Sequence, residues 1–489
     1  MPPSSRTIRT VFDRAGGGVP ASTGPALSGP VVDGPVVGGP VVGGPVVGGP
    51  VLDGPVLNGR VVDGPVVDGP ALDGPVVGDP VLNDTATTTR LMLFFAIVYA
   101  IEGLGQAKTG IIGQPLTHFL KETRGWGPLE VAASLAVLDL PWIVKPIYGL
   151  ISDFFPLAGF RRRPWLALSA LTASAAFFWA GSFASIAGLV PALVFTSIGM
   201  AAASTVCGAL LVENGQRLNA SGAFVNQQWL WFNVAAVAAA LTGGWLVEIL
   251  PAETALRAAA WIAAAAPLAL LPALRLVSED RAIIDRASFA ASGRALAATF
   301  KSRNLWIIAA FLFFYYFSPG FGTPLYFELT DKLKFSQSFI GFLSAVTAFG
   351  WIAGGVAYRY VLFRVPARKL IAGSLIFGAA GTLSYLGLIG PVSAVAIYFV
   401  SGAAGMIANI ATIGLAAAHC PKRAEGFTFA ALMSVINLAS PLSDTIGAAF
   451  YEHVFANQLA PLIVVSAAFT LFVLILVPFV SSKPRKGFS

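Results

Sequence analysis

Leu91-Met92-Leu93-Phe94-Phe95-Ala96-Ile97-Val98-Tyr99-Ala100-Ile101 is the first long apolar run of the chain, and it carries no charge. The segment it opens extends to about residue 119 and is long enough to cross a hydrocarbon core of about 30 Å. It starts far from residue 1 and lacks a short apolar core followed by a cleavage site, so it reads as a retained membrane helix and not as a signal peptide. Eleven further apolar segments follow, near 128–155, 164–187, 189–213, 223–249, 254–276, 304–329, 336–362, 370–389, 391–417, 425–450 and 460–480. The composition agrees. Of 489 residues, 56% are apolar and 11% charged, and the mean hydropathy is +0.76. So little polar material cannot coat a water-soluble globule. The expected fold is therefore an all-α membrane protein of twelve transmembrane helices.

The charges between the segments set an orientation. Alternate connections hold Arg161-Arg162-Arg163, Arg217, the stretch from Arg275 to Arg303, Arg364 with Arg368 and Lys369, Lys422 with Arg423, and Lys483 to Lys486. The other connections hold few cations, mainly Lys121, Arg124, Lys332 and Lys334. By the positive-inside rule both termini are expected in the cytoplasm, with the cell membrane as the location. The formal charge of +7 is explained by these clusters. No basic stripe with interleaved aromatics accompanies them, so nucleic acid is not an expected partner.

The long connection after the sixth segment, with Glu279, Asp280, Arg281 and Asp285, divides the chain. We expect a cytoplasmic tail over 1–90, a six-helix bundle over 91–276, a connection over 277–303, a second bundle over 304–480 and a short tail over 481–489. An internal repeat supports the division. Gly113-Gln114-Pro115-Leu116 recurs as Gly322-Thr323-Pro324-Leu325, and in the same register Leu120 meets Leu329, Glu122 meets Asp331 and Val137 meets Val346. Two parallel six-helix halves are the architecture of the major facilitator transporters. In the tail, a five-residue unit such as Gly34-Pro35-Val36-Val37-Gly38 repeats from about Gly24 to Asp84. Proline every fifth residue forbids a helix there, and disorder is the expectation.

Catalytic chemistry finds little support. Cys207 and Cys420 have neither metal-ligand nor disulfide spacing, and His118, His419 and His453 form no paired metal motif. No nucleophile with a base, no metal triad and no phosphate loop is legible, so neither an enzyme nor a cofactor is expected.

Intramembrane ionisable groups are costly to insert, by a few kcal/mol or more, and mark function by default. Asp139 and Lys145 are the clearest. Lys145 lies roughly 15 Å from the cytoplasmic end of its helix at 1.5 Å per residue, too deep to snorkel easily. Pro141 and Pro146 remove two amide donors, which frees the carbonyls of Val137 and Trp142 to line a cavity. We read Lys145 as an anchor for an anionic substrate group and Asp139 as a proton acceptor whose state responds to cavity opening. A structural ion pair tying this helix to a neighbour is the competing reading. Glu102 and Gln106, one turn apart with Lys108 nearby, form a second cluster that suits substrate or proton, against a packing role. Asp444 near Pro441 is a third candidate carboxylate for proton coupling.

Breaks between Gly103 and Pro115 and between Pro319 and Pro324 fall at corresponding places of the two halves, the best sequence pointer to a transport site. Beside them lie Tyr315 and Tyr316, while the fifth segment offers Asn226, Gln227, Gln228, Trp229, Trp231 and Asn233. Rings and amides suit a planar heterocycle. An interfacial aromatic belt gives the same composition, and for Trp229 and Trp231 that reading is slightly favoured.

Three stretches carry a family resemblance. Pro141-Trp142-Ile143-Val144-Lys145-Pro146-Ile147-Tyr148-Gly149-Leu150-Ile151-Ser152-Asp153, followed by Pro156, Gly159 and the arginines, resembles the signature of the folate/biopterin transporter family. Its Gly149-x-x-x-Asp153 part is similar to the loop motif of the wider major facilitator superfamily, with a longer gap before the first arginine. Ser318-Pro319-Gly320-Phe321-Gly322-Thr323-Pro324-Leu325-Tyr326-Phe327, and the region with Cys420-Pro421, Glu425-Gly426, Ala431-Leu432-Met433-Ser434 and Asn437, are similar to that family too. The resemblance covers roughly 91–480. It implies movement of folates, pterins or related planar anions, often coupled to protons, with Asp153 and Arg161, Arg162 and Arg163 gating the cytoplasmic end. A lipid-embedded monomer with a small-molecule substrate is expected. Two alternatives stay open: a carrier or exporter of another small organic anion, and a non-transporting assembly factor or receptor on a carrier fold.

Overall fold

A computed structural model describes residues 85–480 apart from 219, 283–299, 363 and 419–424. The repeats between Gly24 and Asp84, His419, Cys420, Lys422, Arg423 and the Lys483 to Lys486 cluster lie outside the described residues. The first half comprises α1 (Thr85–Gly105), α2 (Gly113–His118), α3 (Pro128–Ile143), α4 (Lys145–Phe154), α5 (Arg163–Gly181), α6 (Ile186–Arg217), α7 (Ser221–Ile249), α8 (Ala252–Leu268) and α9 (Leu270–Ala273). The second comprises α10 (Arg303–Tyr316), α11 (Gly322–Phe327), α12 (Gln337–Ala357), α13 (Ala367–Ser384), α14 (Pro391–Ala418), α15 (Glu425–Ala449) and α16 (Leu459–Phe472). No strand forms among the described residues.

Among the described residues, eleven helices are long and apolar enough to cross a membrane, and α10 is a shorter apolar helix of 14 residues. The seventh apolar segment is thus not one continuous helix. Phe317 to Phe321 interrupt it, α11 resumes it, and a π-helical turn over Glu328–Lys332 ends it. The first pass is built the same way, with α1, an irregular stretch over 106–112, α2 and a π-helical turn over Phe119–Thr123. Both breaks have local causes. In the first, Ile111 N donates to Leu104 O at 3.0 Å and Gly110 N to Gln106 O at 2.8 Å, a tight return in which a side chain on Gly110 would strike both carbonyls. In the second, Gly320 N donates to Ser443 O at 2.9 Å. There Gly447 lies so close to the Gly320 carbonyl that only glycine fits.

Each half has its own apolar core, around Phe94, Phe95, Tyr99 and Phe177 in the first and Phe311, Leu312, Trp351 and Met433 in the second. Large apolar side chains such as Phe178, Trp245, Phe349 and Phe472 face outward, as a lipid-solvated surface allows and water does not. Lipid gives helices no hydrophobic reason to associate, so close packing through small residues must hold them. The halves meet where α3 packs on α15 and α7 on α12. At the second seam a Cβ on Gly244 would lie 3.0 Å from Gly341 Cα.

Candidate functional site

The break after α1 collects the buried charge of the first half. Glu102 lies on the last turn of α1, and Lys145 opens α4 just after Pro141 and Val144 have interrupted the α3–α4 pass. Lys145 Nζ donates to Ser204 Oγ of α6 at 3.1 Å, and that hydroxyl donates to Glu102 Oε1 at 3.2 Å. The serine therefore bridges ammonium and carboxylate. Glu102 is 2% and Lys145 6% exposed, so each charge depends on the other for compensation. The lysine also sits 4.8 Å from the Trp142 ring centroid, a cation–π contact.

Asp139 does not join Lys145. Its Oδ2 lies 3.3 Å from Lys108 Nζ, and Lys108 projects from the irregular stretch between α1 and α2. This ion pair ties the α3 pass to the first, the geometry of the competing reading. Asp444 of α15 acts electrostatically on both Lys108 and Asp139 from the opposite half. Its carboxylate is itself held at the second break, accepting from Thr323 N at 3.3 Å and Thr323 Oγ1 at 2.8 Å. Asp139 contacts Lys108 directly within the first half, whereas Asp444, from the other half, adds its field to that pair. Lys108 had a legible signal, a cation inside an apolar pass, but its role as the partner of Asp139 depends on how the chain turns at 106–112.

Other candidates divide. Gln106 is 2% exposed; Thr109 Oγ1 donates to its Oε1 at 2.5 Å, and its Nε2 makes no hydrogen bond. Asn233 Nδ2 donates to Trp229 O of its own helix at 2.8 Å and its Oδ1 has no partner. Tyr315 and Tyr316 turn into the second half, where their hydroxyls meet Ser374 Oγ at 2.8 Å and Thr412 Oγ1 at 2.7 Å. Trp229 is buried, whereas Trp231 is on the surface and donates to Gln227 Oε1 at 2.9 Å.

At the arginine end the three residues have three fates. Arg162 is 5% exposed and reaches Asp153 Oδ1 and Glu213 Oε1, both at 2.6 Å, and Ser152 Oγ at 2.7 Å. Arg161 is exposed and Arg163 half-buried. The backbone N–H groups of all three donate to the Glu279 carboxylate at 2.7, 2.7 and 2.8 Å, a favourable anion at the start of α5. Sequence reasoning did not pair the arginines with Glu213, near the end of α6, or with Glu279, which follows the sixth segment.

The opposite end holds the halves together. Lys121 Nζ meets Asp331 Oδ1 at 2.7 Å, His118 Nδ1 meets Tyr326 OH at 3.2 Å, and Gln114 Nε2 donates to Gln337 O at 2.8 Å. Leu129 N donates to Glu452 Oε1 at 2.7 Å and Ser338 N to Glu248 Oε2 at 3.1 Å. Lys121 and Asp331 sit in the two corresponding π-helical turns. The internal repeat, which aligns Glu122 with Asp331, was the available signal for this contact.

Two helix breaks fall at matching places of the packed halves, and buried charged groups of the first half lie beside the first of them. The BT1 family profile matches residues 105–485. The chain belongs to the BT1 family. It is 30% identical over 373 residues to a folate-biopterin transporter of Synechocystis sp., covering 73% of this chain and 74% of that one. It is 25% identical over 413 residues to folate transporter 2 of Plasmodium falciparum, covering 80% and 89%. Among solved structures, a D-xylose-proton symporter superposes with TM-score 0.63 at 14% identity over 81% of this chain and 99% of that one. The POT family transporter PepTSo superposes with TM-score 0.62 at 9% identity over 80% and 97%. Like them, this BT1 member has the major facilitator fold, and it is a multi-pass membrane protein of a transporter family, not an enzyme.

Proposed function

We propose that this chain carries folate, pterin or related planar anionic compounds across a membrane, coupled to protons, by exposing one site alternately to either side. The observation that carries the reading is the burial of Lys145 with Glu102, and of Lys108 with Asp139, beside a helix break in a chain related to folate carriers. A scaffold gains nothing from charges so costly to insert. In this reading Lys145 anchors the substrate anion, and Gln106, Asn233, Tyr315 and Tyr316 are further candidate contacts. Asp139, Glu102 and Asp444 are the groups through which a proton is taken up and released. The arginine turns lie in the cytoplasm with both termini, so the end closed by Lys121 and Asp331 faces outward. Arg162 with Asp153 forms part of the inner gate.

Uptake of labelled folate and pterin by cells expressing the full chain tests the proposal, with Lys145→Ala and Asp139→Asn beside the wild type. Accumulation by the wild type, lost in both variants at equal membrane abundance, is the expected result. Unchanged uptake in both variants ends the site assignment, and no accumulation by a membrane-inserted wild type ends the substrate assignment.

A further inference from the structure

We propose that Glu248 and Glu452 form a reciprocal latch, in which each half of the protein lends one carboxylate to the start of a helix in the other and so holds shut the end opposite the arginines. The inference rests on the alternating exposure proposed above and goes beyond it in naming what must be released for that end to open. An α-helix starts with amide N–H groups that have no partner inside it, and the residue before the helix usually supplies one. Neither α3 nor α12 is satisfied in that way at its second residue. Gly127, before α3, has no side chain, and Ser336, before α12, spends its hydroxyl oxygen accepting from Phe339 N at 3.2 Å. The amides left to outside partners are those of Leu129 and Ser338. Leu129 N donates to Glu452 Oε1 at 2.7 Å and Ser338 N to Glu248 Oε2 at 3.1 Å.

The two contacts are counterparts. In the register that sets Gly113 against Gly322, Leu129 falls on Ser338. The carboxylates come from the far ends of equivalent helices, Glu248 from the last turn of α7 and Glu452 from the π-helical turn Phe450–Val454 that follows α15. One contact therefore stands at each seam, α15 on α3 and α7 on α12. A rocking motion that parts the halves at this end breaks both. Each bond joins an anion to the positive end of a helix, and charge assistance makes it roughly twice as strong as a neutral one. The two differ in exposure. Gly127 sits so close to Glu452 that a Cβ there would lie 2.6 Å from Oε1, and Glu452 is half-buried, whereas Glu248 is exposed. The Glu452 side is the stronger, because water competes less for it. Glu130 supplies an internal contrast: its Oε2 accepts from Gly127 N at 3.1 Å, at the same helix start but within one half.

The separation of this end can be read directly. Thr123 and Gln458 are exposed and belong to opposite halves. Spin labels on Thr123→Cys and Gln458→Cys, in a Cys207→Ser, Cys420→Ser background of the full chain in liposomes, report their distance by double electron–electron resonance. Glu452→Leu should raise the ratio of separated to closed molecules at least about tenfold, and Glu248→Leu by about threefold. The double variant should show the product, since the two sites share no partner. Glu452→Gln keeps an acceptor oxygen without the charge, so it should fall between wild type and Glu452→Leu, and it carries the test if the leucine variant does not insert. Glu130→Leu should leave the ratio unchanged, because that carboxylate crosses no seam. A ratio unmoved by Glu452→Leu and Glu452→Gln overturns the latch. So does an equal rise in Glu130→Leu, which would reduce Glu452 to a stabiliser of α3. In both cases a wild type that populates both separations still upholds alternating exposure. If neither the wild type, with or without folic acid, nor any variant shows the separated form, alternating exposure falls and the latch with it.

Discussion

Asn437 Nδ2 of α15 donates to Trp142 O of α3 at 3.0 Å, a hydrogen bond that crosses from one half to the other in the buried middle of the bundle. The acceptor is the carbonyl that Pro146, having no N–H, cannot satisfy within its own helix. A proline in one half thus creates the docking point for a side chain of the other. Asn437→Leu removes the donor and leaves Trp142 O unpaired in an apolar setting, which should cost about 1–3 kcal/mol. Thermal unfolding of the detergent-solubilised protein would show a lowered midpoint, and an unchanged midpoint would mean the carbonyl finds water instead.

Lys108 and Asp139 should behave as a unit. Breaking a buried ion pair by removing one member costs about 3–5 kcal/mol, because the other is left uncompensated. Lys108→Met or Asp139→Leu alone should therefore reduce the yield of monodisperse protein sharply. The double variant should recover much of it, and additive losses in a double-mutant cycle would show that the 3.3 Å contact carries no coupling.

The three arginines separate by experiment. Arg162→Met strips Asp153, Glu213 and Ser152 of a shared partner and should lower transport at least tenfold at equal membrane abundance. Arg161→Gln and Arg163→Gln keep the backbone donors to Glu279 and should lower it by less than about threefold, since surface charges contribute little. Equal losses in all three would mean that the cluster acts only through its charge.

Closure at the opposite end should tolerate ordinary pH. Burial acts to lower the Lys121 ammonium, but its contacts with Asp331 and Glu122 outweigh that and hold it above its usual range. The sign follows from linkage. A group raised on folding contributes stability that is fully present below its unfolded value of about 10.4 and lost as pH rises through the folded one. Accessibility of a cysteine placed at Thr123 to a membrane-impermeant thiol reagent should thus not change through Lys121 between about pH 6 and 9. Lys121→Ala should raise that accessibility, and equal labelling with and without the lysine would remove it from the closure.

Gly244 and Gly341 set how closely α7 and α12 approach. Gly341→Leu would drive a side chain into Ala240 O, so the closed end should fail to form. The variant should insert normally, show the labelling expected of an opened end and lose transport. Wild-type rates would mean that this seam never closes during the cycle.

Much of the fold was legible, because solvation by lipid leaves long apolar runs that no other solvent explains. The paired breaks were legible for the same reason: Pro115, Pro319 and Pro324 cannot donate, and glycines gather beside them. The seventh pass was harder to measure by length, since its apolar run from 304 to 329 hides a non-helical interval at Phe317 to Phe321. The partnerships within the site were less accessible. Asp139 and Lys145 were found as costly charges, but whom each meets depends on the rotation of α3 and α4 about Val144 and on residues 106–112. Ser204, the bridge to Glu102, is one of many small hydroxyls in a small-residue helix and carries no signal of its own. Tyr315 and Tyr316 show the limit most plainly, for their sequence places them beside the break while packing sends their hydroxyls to Ser374 and Thr412.

Glu279 grips the amides of Arg161 to Arg163, and Ala282 N donates to Gly159 O at 2.9 Å. The polypeptide leaving the first bundle is therefore fastened to it as far as residue 282. Severing the chain just after residue 282 and co-expressing the fragments should spare this clasp, whereas a cut before Glu279 would strip the start of α5 of its anion. Where the backbone is interrupted, and not merely that it is, should decide whether two separately made bundles reassemble into a working carrier.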